Sequence, residues 1–245
     1  MTQPGEAALA LRIEALHKSY RSPDGEVTPV IDIPAFSLAR GEQIALRGAS
    51  GSGKTTLLNI IAGILTPDSG RVWVDGREIT ALSESARDRA RAATIGYVFQ
   101  TFNLLQGYTA LENVMLGMMF GRGADAGFAT SLLQRVGLGG RLDHRPSQLS
   151  VGQQQRVAVA RALANDPRLV LADEPTGNLD PRHAREALTL IREICHEQQA
   201  ALLLVSHDPA VLDQFDRVDD LAHVNRAAAL HEIPAPAPAA AGGTA

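Results

Sequence analysis

The stretch GASGSGKTT, residues 48 to 56, constrains this chain more than any other. It fits the pattern G-x-x-x-x-G-K-[ST] through Gly48, Gly53, Lys54 and Thr55. It follows the apolar run QIALR and opens the run LLNIIAGIL, so it reads as a strand, a tight loop and a helix start. Glycines at 48, 51 and 53 let backbone N–H groups curl around phosphate oxygens without obstruction, and the helix that follows offers its positive end. Ala49, Ser50 and Ser52 complete the loop, and Thr56 continues the helix start. In that pattern Lys54 is expected to reach the β- and γ-phosphates of a nucleotide, with the Thr55 hydroxyl ligating Mg²⁺. A Gly-rich turn with no ligand would share the glycines but has no need of the Lys-Thr pair.

Around this loop, short β-type runs alternate with helical patterns: LRIEALH at 11 to 17, QIALRG at 43 to 48, RVWVDG at 71 to 76, LVLAD at 169 to 173 and ALLLVS at 201 to 206. Continuous apolar strands such as LVLA and ALLLV suit a sheet covered on both faces, which predicts a largely parallel α/β core. From about 101 to 165 helical signals dominate (TALENVMLGMM, ATSLLQRVGL, VAVARALAN), and this predicts a helical subdomain inserted into the sheet domain. The expected domain covers residues 1 to 233, followed by a disordered Pro- and Ala-rich tail, 234 to 245.

Length and composition remove several function classes. A chain of 245 residues holds one such domain but not two complete nucleotide-binding domains. Its net charge of -4 carries no basic excess that would point to nucleic acid. No apolar run approaches the roughly 20 residues that span a bilayer, and the first 20 residues lack the basic start and apolar core of a secretory signal. The lone Cys195 excludes disulfides within the chain and zinc clusters, which fits a reducing cytoplasm.

A second group of residues complements the loop. LVLADEPTGNLD places Asp173 and Glu174 at the end of a buried strand, where ligands of open α/β sheets lie. There Asp173 is expected to hold Mg²⁺ and Glu174 to polarise an attacking water as general base. A solvated loop start is the plainer alternative, and the phosphate loop counts against it. Asp180 precedes Pro181 as the N-cap of a helix, which is sufficient structural reason for an aspartate there. His207 ends the run ALLLVS, beside the expected γ-phosphate position; a structural hydrogen bond is its plainer role.

In order, these motifs resemble the ATP-binding subunits of ABC transporters, and the likeness runs from about residue 10 to 225. That family carries a phosphate loop, a glutamine loop, an LSGGQ signature, an Asp-Glu strand end and a late histidine. Here they read Gly48 to Thr55, Gln100, LSVGQ at 149 to 153, Asp173-Glu174 and His207. The resemblance implies a P-loop NTPase fold: a mixed, largely parallel sheet, an N-terminal antiparallel β portion and an inserted helical subdomain. It further implies that Tyr20 stacks on adenine, although Tyr serves core packing equally well. By the same likeness Gln100 contacts Mg²⁺ and the attacking water, and Asp180 couples the two sites of a dimer.

The signature departs from the family pattern at Val151. Ser150 reads as a helix N-cap, so Val151 is the first helical residue and needs no glycine on backbone grounds. Contacts to the opposite subunit's ATP then narrow to Ser150, Gly152 and Gln153. One loop and one signature per chain imply a head-to-tail dimer of two copies around two ATP, driving a separate integral-membrane permease from the cytoplasmic face of the inner membrane as a peripheral subunit. FQTFNLLQGYTALENV and ADEPTGNLD look most like the group serving lipoprotein release, macrolide export and related FtsX-like permeases. An importer ATPase or a regulatory ABC ATPase is the alternative. DNA-repair relatives need a long coiled coil or zinc modules that the stretch from Lys54 to Ser150 is too short to hold. A small-molecule kinase would leave LSVGQQQR, Glu174 and His207 unexplained.

Overall fold

The computed structural model describes residues 9–229; the tail expected at 234 to 245 lies outside them. The expected N-terminal antiparallel portion and the largely parallel core are both present, each as a sheet of its own. The first has the order β2-β1-β4-β5, made of β1 (Leu9–Arg21), β2 (Val27–Ala39), β4 (Ser69–Val74) and β5 (Arg77–Glu78), all antiparallel. The second has the order β6-β7-β8-β3-β9, made of β3 (Gln43–Arg47), β6 (Ile95–Val98), β7 (Leu169–Asp173), β8 (Ala201–Ser206) and β9 (Arg217–Asp220), all parallel.

The parallel sheet is covered on both faces, which is why β7 and β8 are buried along their whole length and read as continuous apolar runs. Side chains of β8 alternate between two cores. Leu203 and Val205 face α1 (Lys54–Ile61) and the antiparallel sheet, while Leu202 and Leu204 face the helical side. That side is built by α3 (Ala110–Met118), α4 (Ala126–Arg135), α5 (Val151–Leu163) and α6 (Pro181–Glu197). Each fully buried Leu or Val contributes about 1.5–3 kcal/mol relative to exposure, so the two cores hold the sheet as a rigid platform. No strand lies between β6 and β7 among the described residues; α3, α4, two short 3-10 turns and α5 fill that interval.

Local chemistry sets the helix starts. Thr109 caps α3 and Ser150 caps α5, each in a reciprocal capping box with the Glu112 or Gln153 three residues on. Asp180 caps α6 with Pro181 at its first position. α5 then crosses β6 so closely that a Cβ on Gly96 would sit 2.4 Å from Ala162 O. Only glycine fits that crossing.

Beyond the helical interval, α2 (Glu84–Thr94) precedes β6, and α7 (Pro209–Leu212) follows β8. Two short helices, α8 (Leu221–Val224) and α9 (Arg226–Ala229), close the described chain against β2. The C-terminal ends of β3, β6, β7 and β8 lie on one edge of the parallel sheet, and every motif named from the sequence except Tyr20 and the helix-start residues Ser150 to Gln153 and Asp180 sits directly at or just after one of these ends.

Candidate functional site

The phosphate-type loop leaves β3 at Arg47 and is tied to the neighbouring strand end by Gly48 N, which donates to Ser206 O at 3.3 Å. Two constraints meet at Gly53. Its φ is 92°, a left-handed conformation, and a Cβ there would lie 2.9 Å from Val30 O on β2. As N-cap of α1 it supplies no side-chain acceptor, so the amides of the first helical turn stay open to another partner. Lys54 is buried; its Nζ donates to Gly48 O at 2.6 Å and lies 2.8 Å from Glu174 Oε1. The loop thus folds around its own ammonium group.

At the end of β7, Glu174 adopts φ 44°, an uncommon conformation for a non-glycine residue and a place where strain is held at a site. Its Oε1 takes a hydrogen bond from Lys54 and pairs with His207 Nδ1 at 2.7 Å, while Ser206 Oγ donates to Oε2 at 2.9 Å. Burial pushes the Glu174 carboxyl up, but hydrogen bonds from Lys54, His207 and Ser206, with the Lys54 charge, outweigh it and hold it below the usual range. Asp173 shows the opposite balance. Burial, reinforced by the Glu174 charge, raises it despite the Thr55 hydroxyl, which donates to Oδ2 at 2.7 Å, and the nearby Lys54 charge. Behind this pair, burial and then the Asp173 charge push the Tyr97 hydroxyl well above its ordinary value.

These groups border one cavity of about 360 Å³. Tyr20, Ser50, Gly51, Gly53, Lys54, Thr55, Thr56, Gln100, Asp173, Glu174 and His207 line it, and Val30 of β2 completes the wall. Tyr20 is 46% exposed, so its ring is a wall of the cavity and not a core filler. Gln100 enters from the end of β6, its backbone carbonyl held by Asn178 Nδ2 at 2.9 Å. Gly48, Ala49 and Ser52 belong to the loop without lining the cavity, and Ser52 Oγ is buried with no hydrogen-bond partner.

The remaining sequence-predicted residues are elsewhere. Ser150, Val151, Gly152 and Gln153 open α5 and do not border the cavity. The Ser150 hydroxyl accepts from Gln153 N at 3.3 Å, and Gln153 Oε1 accepts from Ser150 N at 3.0 Å. Val151 is the first residue of the helix and is half-exposed. Asp180 is exposed at the start of α6, where Oδ1 accepts from Arg182 N and His183 N and Oδ2 pairs with His183 Nδ1. The His183 hydrogen bond holds its carboxyl below the usual range.

Sequence reasoning missed two residues of the site. Ser206 carries no signal beyond ending a strand, yet it holds one carboxylate oxygen of Glu174. Val30 lies in a segment whose prolines hide its strand, and it forms the part of the cavity wall that packs against Gly53.

Known proteins give the same picture. Residues 31–177 match the family model described as ABC transporter. A lipoprotein-releasing system ATP-binding protein LolD of Xanthomonas campestris pv. campestris is 45% identical over 225 residues, covering 90% of this chain and 93% of the relative. One from Anaeromyxobacter dehalogenans is 51% identical over 199 residues, 80% of this chain and 83% of the relative. Among solved structures, a dimeric post-hydrolysis state of the ATP-binding cassette MJ0796 with ADP and Pi superposes with a TM-score of 0.78 at 35% identity, covering 86% of this chain and 93% of that one. Fold, motif order and these relatives agree: the chain belongs to the ABC transporter family, with the architecture of its ATP-binding subunits.

Proposed function

We propose that this protein hydrolyses ATP as the peripheral, cytoplasmic-face subunit of a lipoprotein-release type transporter. In this reading two copies bind two ATP head to tail, and the motion of the dimer is passed to an integral-membrane permease. The observation that carries the reading is the division of the motifs. The phosphate loop, Gln100, Asp173, Glu174 and His207 share one cavity, whereas the signature at Ser150 to Gln153 stands apart from it. A site completed by a second copy accounts for both facts.

Within that site, Lys54 and the open amides of α1 bind the phosphates, and Tyr20 stacks on adenine. Thr55 and Asp173 present a hydroxyl and a carboxylate 2.7 Å apart, hard oxygen donors of the kind Mg²⁺ takes alongside substrate phosphates, and Gln100 stands within the same cavity. Both are oxygen donors on the wall of one cavity, so the donor set fits the ion. When bound, Mg²⁺ supplies neutralisation of developing phosphate charge. Glu174 takes the proton of the attacking water, and His207 holds the carboxylate and faces the γ-phosphate. From the signature, Ser150, Gly152 and Gln153 reach the partner's ATP, with Asp180 coupling the two sites. The helical segment of about 101 to 165 acts as a subdomain that, near Gln100 to Tyr108, meets the permease.

The test is Glu174→Gln in the purified chain. The expected result is turnover lowered by about 10²- to 10⁴-fold, with an ATP-bound dimer accumulating in light scattering. A variant that stays monomeric with ATP and hydrolyses at the parent rate would overturn the reading.

A further inference from the structure

Asn225, at the end of α8, is fully buried and lies beyond the stretch matched by the family model. Its side chain spends every hydrogen-bonding group. Oδ1 accepts from Asp32 N at 2.7 Å and Ala227 N at 3.3 Å; Nδ2 donates to Val30 O at 2.8 Å and, at the long limit of 3.5 Å, to Ser52 O. β2 is an edge strand of the antiparallel sheet, so the Val30 carbonyl and the Asp32 amide would otherwise be left without a ladder partner. The single amide of Asn225 serves both groups as the backbone of a neighbouring strand would. Its own backbone is fixed in turn, with Asn225 N donating to Leu221 O at 2.7 Å and Ala228 N donating to Asn225 O at 3.0 Å.

The place where this amide acts gives it a function. Val30 forms the wall of the nucleotide cavity, and its carbonyl is the atom a Cβ on Gly53 would strike. The phosphate loop therefore rests on β2 at Val30, and Asn225 fixes Val30 while touching the loop carbonyl of Ser52. A shift of β2 by a few tenths of an ångström would be felt at Gly53, the residue that opens α1. We propose that Asn225 is a positioning residue for the phosphate loop, making nucleotide affinity depend on how the segment after β9 is seated against β2. The proposal rests on the reading of the cavity as a nucleotide site. It places Asn225 away from the reacting atoms: Glu174, which takes the proton, and His207, which holds its carboxylate, follow the ends of β7 and β8, whereas the amide bonds Asp32, Val30, Ser52 and Ala227.

The experiment measures the dissociation constant of MgADP by calorimetry and kcat at saturating MgATP, in the full chain, for the parent, Asn225→Ala, Asn225→Ser and Asn113→Ala. Asn113 is an equally buried asparagine whose amide bonds Leu105, Tyr108 and Thr109, away from the cavity, and it controls for general destabilisation. A serine hydroxyl cannot span Val30 O and Asp32 N together, so Asn225→Ser is a milder lesion that keeps a polar group in place. The expected result is MgADP binding weakened at least fivefold in Asn225→Ala and less in Asn225→Ser, with kcat within twofold of the parent. Asn113→Ala is expected to lower the thermal midpoint and leave MgADP binding unchanged. Parental MgADP affinity in either folded Asn225 variant overturns the proposal, as does an equal loss of affinity in Asn113→Ala. A parent chain that fails to bind MgADP refutes the nucleotide site itself, which is a different result.

Discussion

Lys54 Nζ and Glu174 Oε1 stand 2.8 Å apart with both side chains about nine-tenths buried, so the cation of the phosphate loop and the carboxylate of the strand end neutralise each other. Removing one member of a buried pair leaves an uncompensated charge and destabilises by about 3–5 kcal/mol, whereas removing both is far milder. Without nucleotide, Lys54→Met is therefore expected to lose most of that amount. Adding Glu174→Gln is expected to restore at least half of it, although the double variant lacks two native groups. Urea unfolding of the four proteins in the cycle measures this. A double variant that loses the sum of the two single losses contradicts the pairing.

Two capping boxes of the same design sit in different places, Ser150 with Gln153 on α5 and Thr109 with Glu112 on α3. Replacing either cap with alanine is expected to remove about 1 kcal/mol, a drop of about 2–4 °C in the thermal midpoint for a domain of this size. Turnover separates them. Ser150→Ala is expected to lower ATP hydrolysis more than tenfold, because in the proposed dimer the same hydroxyl serves the partner's nucleotide, while Thr109→Ala stays within twofold. Equal small effects on turnover would leave Ser150 as a helix cap alone.

Val151, where the family signature has glycine, is the first residue of α5 and half-exposed, so nothing in the fold of one chain demands either residue. Val151→Gly is expected to cost a few tenths of a kcal/mol in helix stability and to keep ATP hydrolysis within severalfold. Gly152 differs. A Cβ there would meet only the His183 ring, at an ordinary 3.6 Å, so Gly152→Val is expected to leave the single chain folded. Its expected near-abolition of turnover would then report a clash across the dimer. Steady-state hydrolysis by the two variants, with thermal midpoints alongside, gives the ranking; the reverse order refutes the assignment of Gly152 as the residue facing phosphate.

Much of the site was legible because its residues lie at ends of continuous apolar strands, and burial on both faces is what makes such strands visible in a sequence. The start of α6 at Asp180-Pro181 and of α5 at Ser150-Val151 followed from capping chemistry alone. What stayed hidden has local causes. β2 carries Pro29 and Pro34, tolerated because it is an edge strand, and these mask its pattern. β6 is four residues with a glycine that α5 requires, and α2 buries only Ala90, so neither shows an apolar period. The N-terminal antiparallel portion was expected from the family resemblance and not from strand patterns, which specify a buried face and not the neighbour across the ladder. Ser206 and Asn225 act through single hydrogen-bonding groups whose partners are remote in sequence, and no spacing rule announces them.

Away from the cavity, Glu42 joins the start of β3 to β9: Ala39 N donates to Oε2 at 2.8 Å, and Arg217 Nη1 donates to Oε1 at 2.7 Å. Burial pushes the Glu42 carboxyl up, but the Ala39 amide and the Arg217 guanidinium together hold it below its ordinary value of 4.5. A carboxyl depressed in the folded state adds stability that is present above the unfolded value and is lost as pH falls through the folded one. Because the pair is partly exposed, the contribution is small, about 0.5–1 kcal/mol after solvent screening. Glu42→Gln is accordingly expected to lower the thermal midpoint by about 1–4 °C at pH 7. The gap between variant and parent should narrow at pH 3, below the unfolded value, because whatever fraction of Glu42 is protonated offers Arg217 nearly the same neutral acceptor as a glutamine. Thermal unfolding at the two pH values measures the gap, and one of equal size at both would show that the Arg217 interaction does not depend on the Glu42 charge.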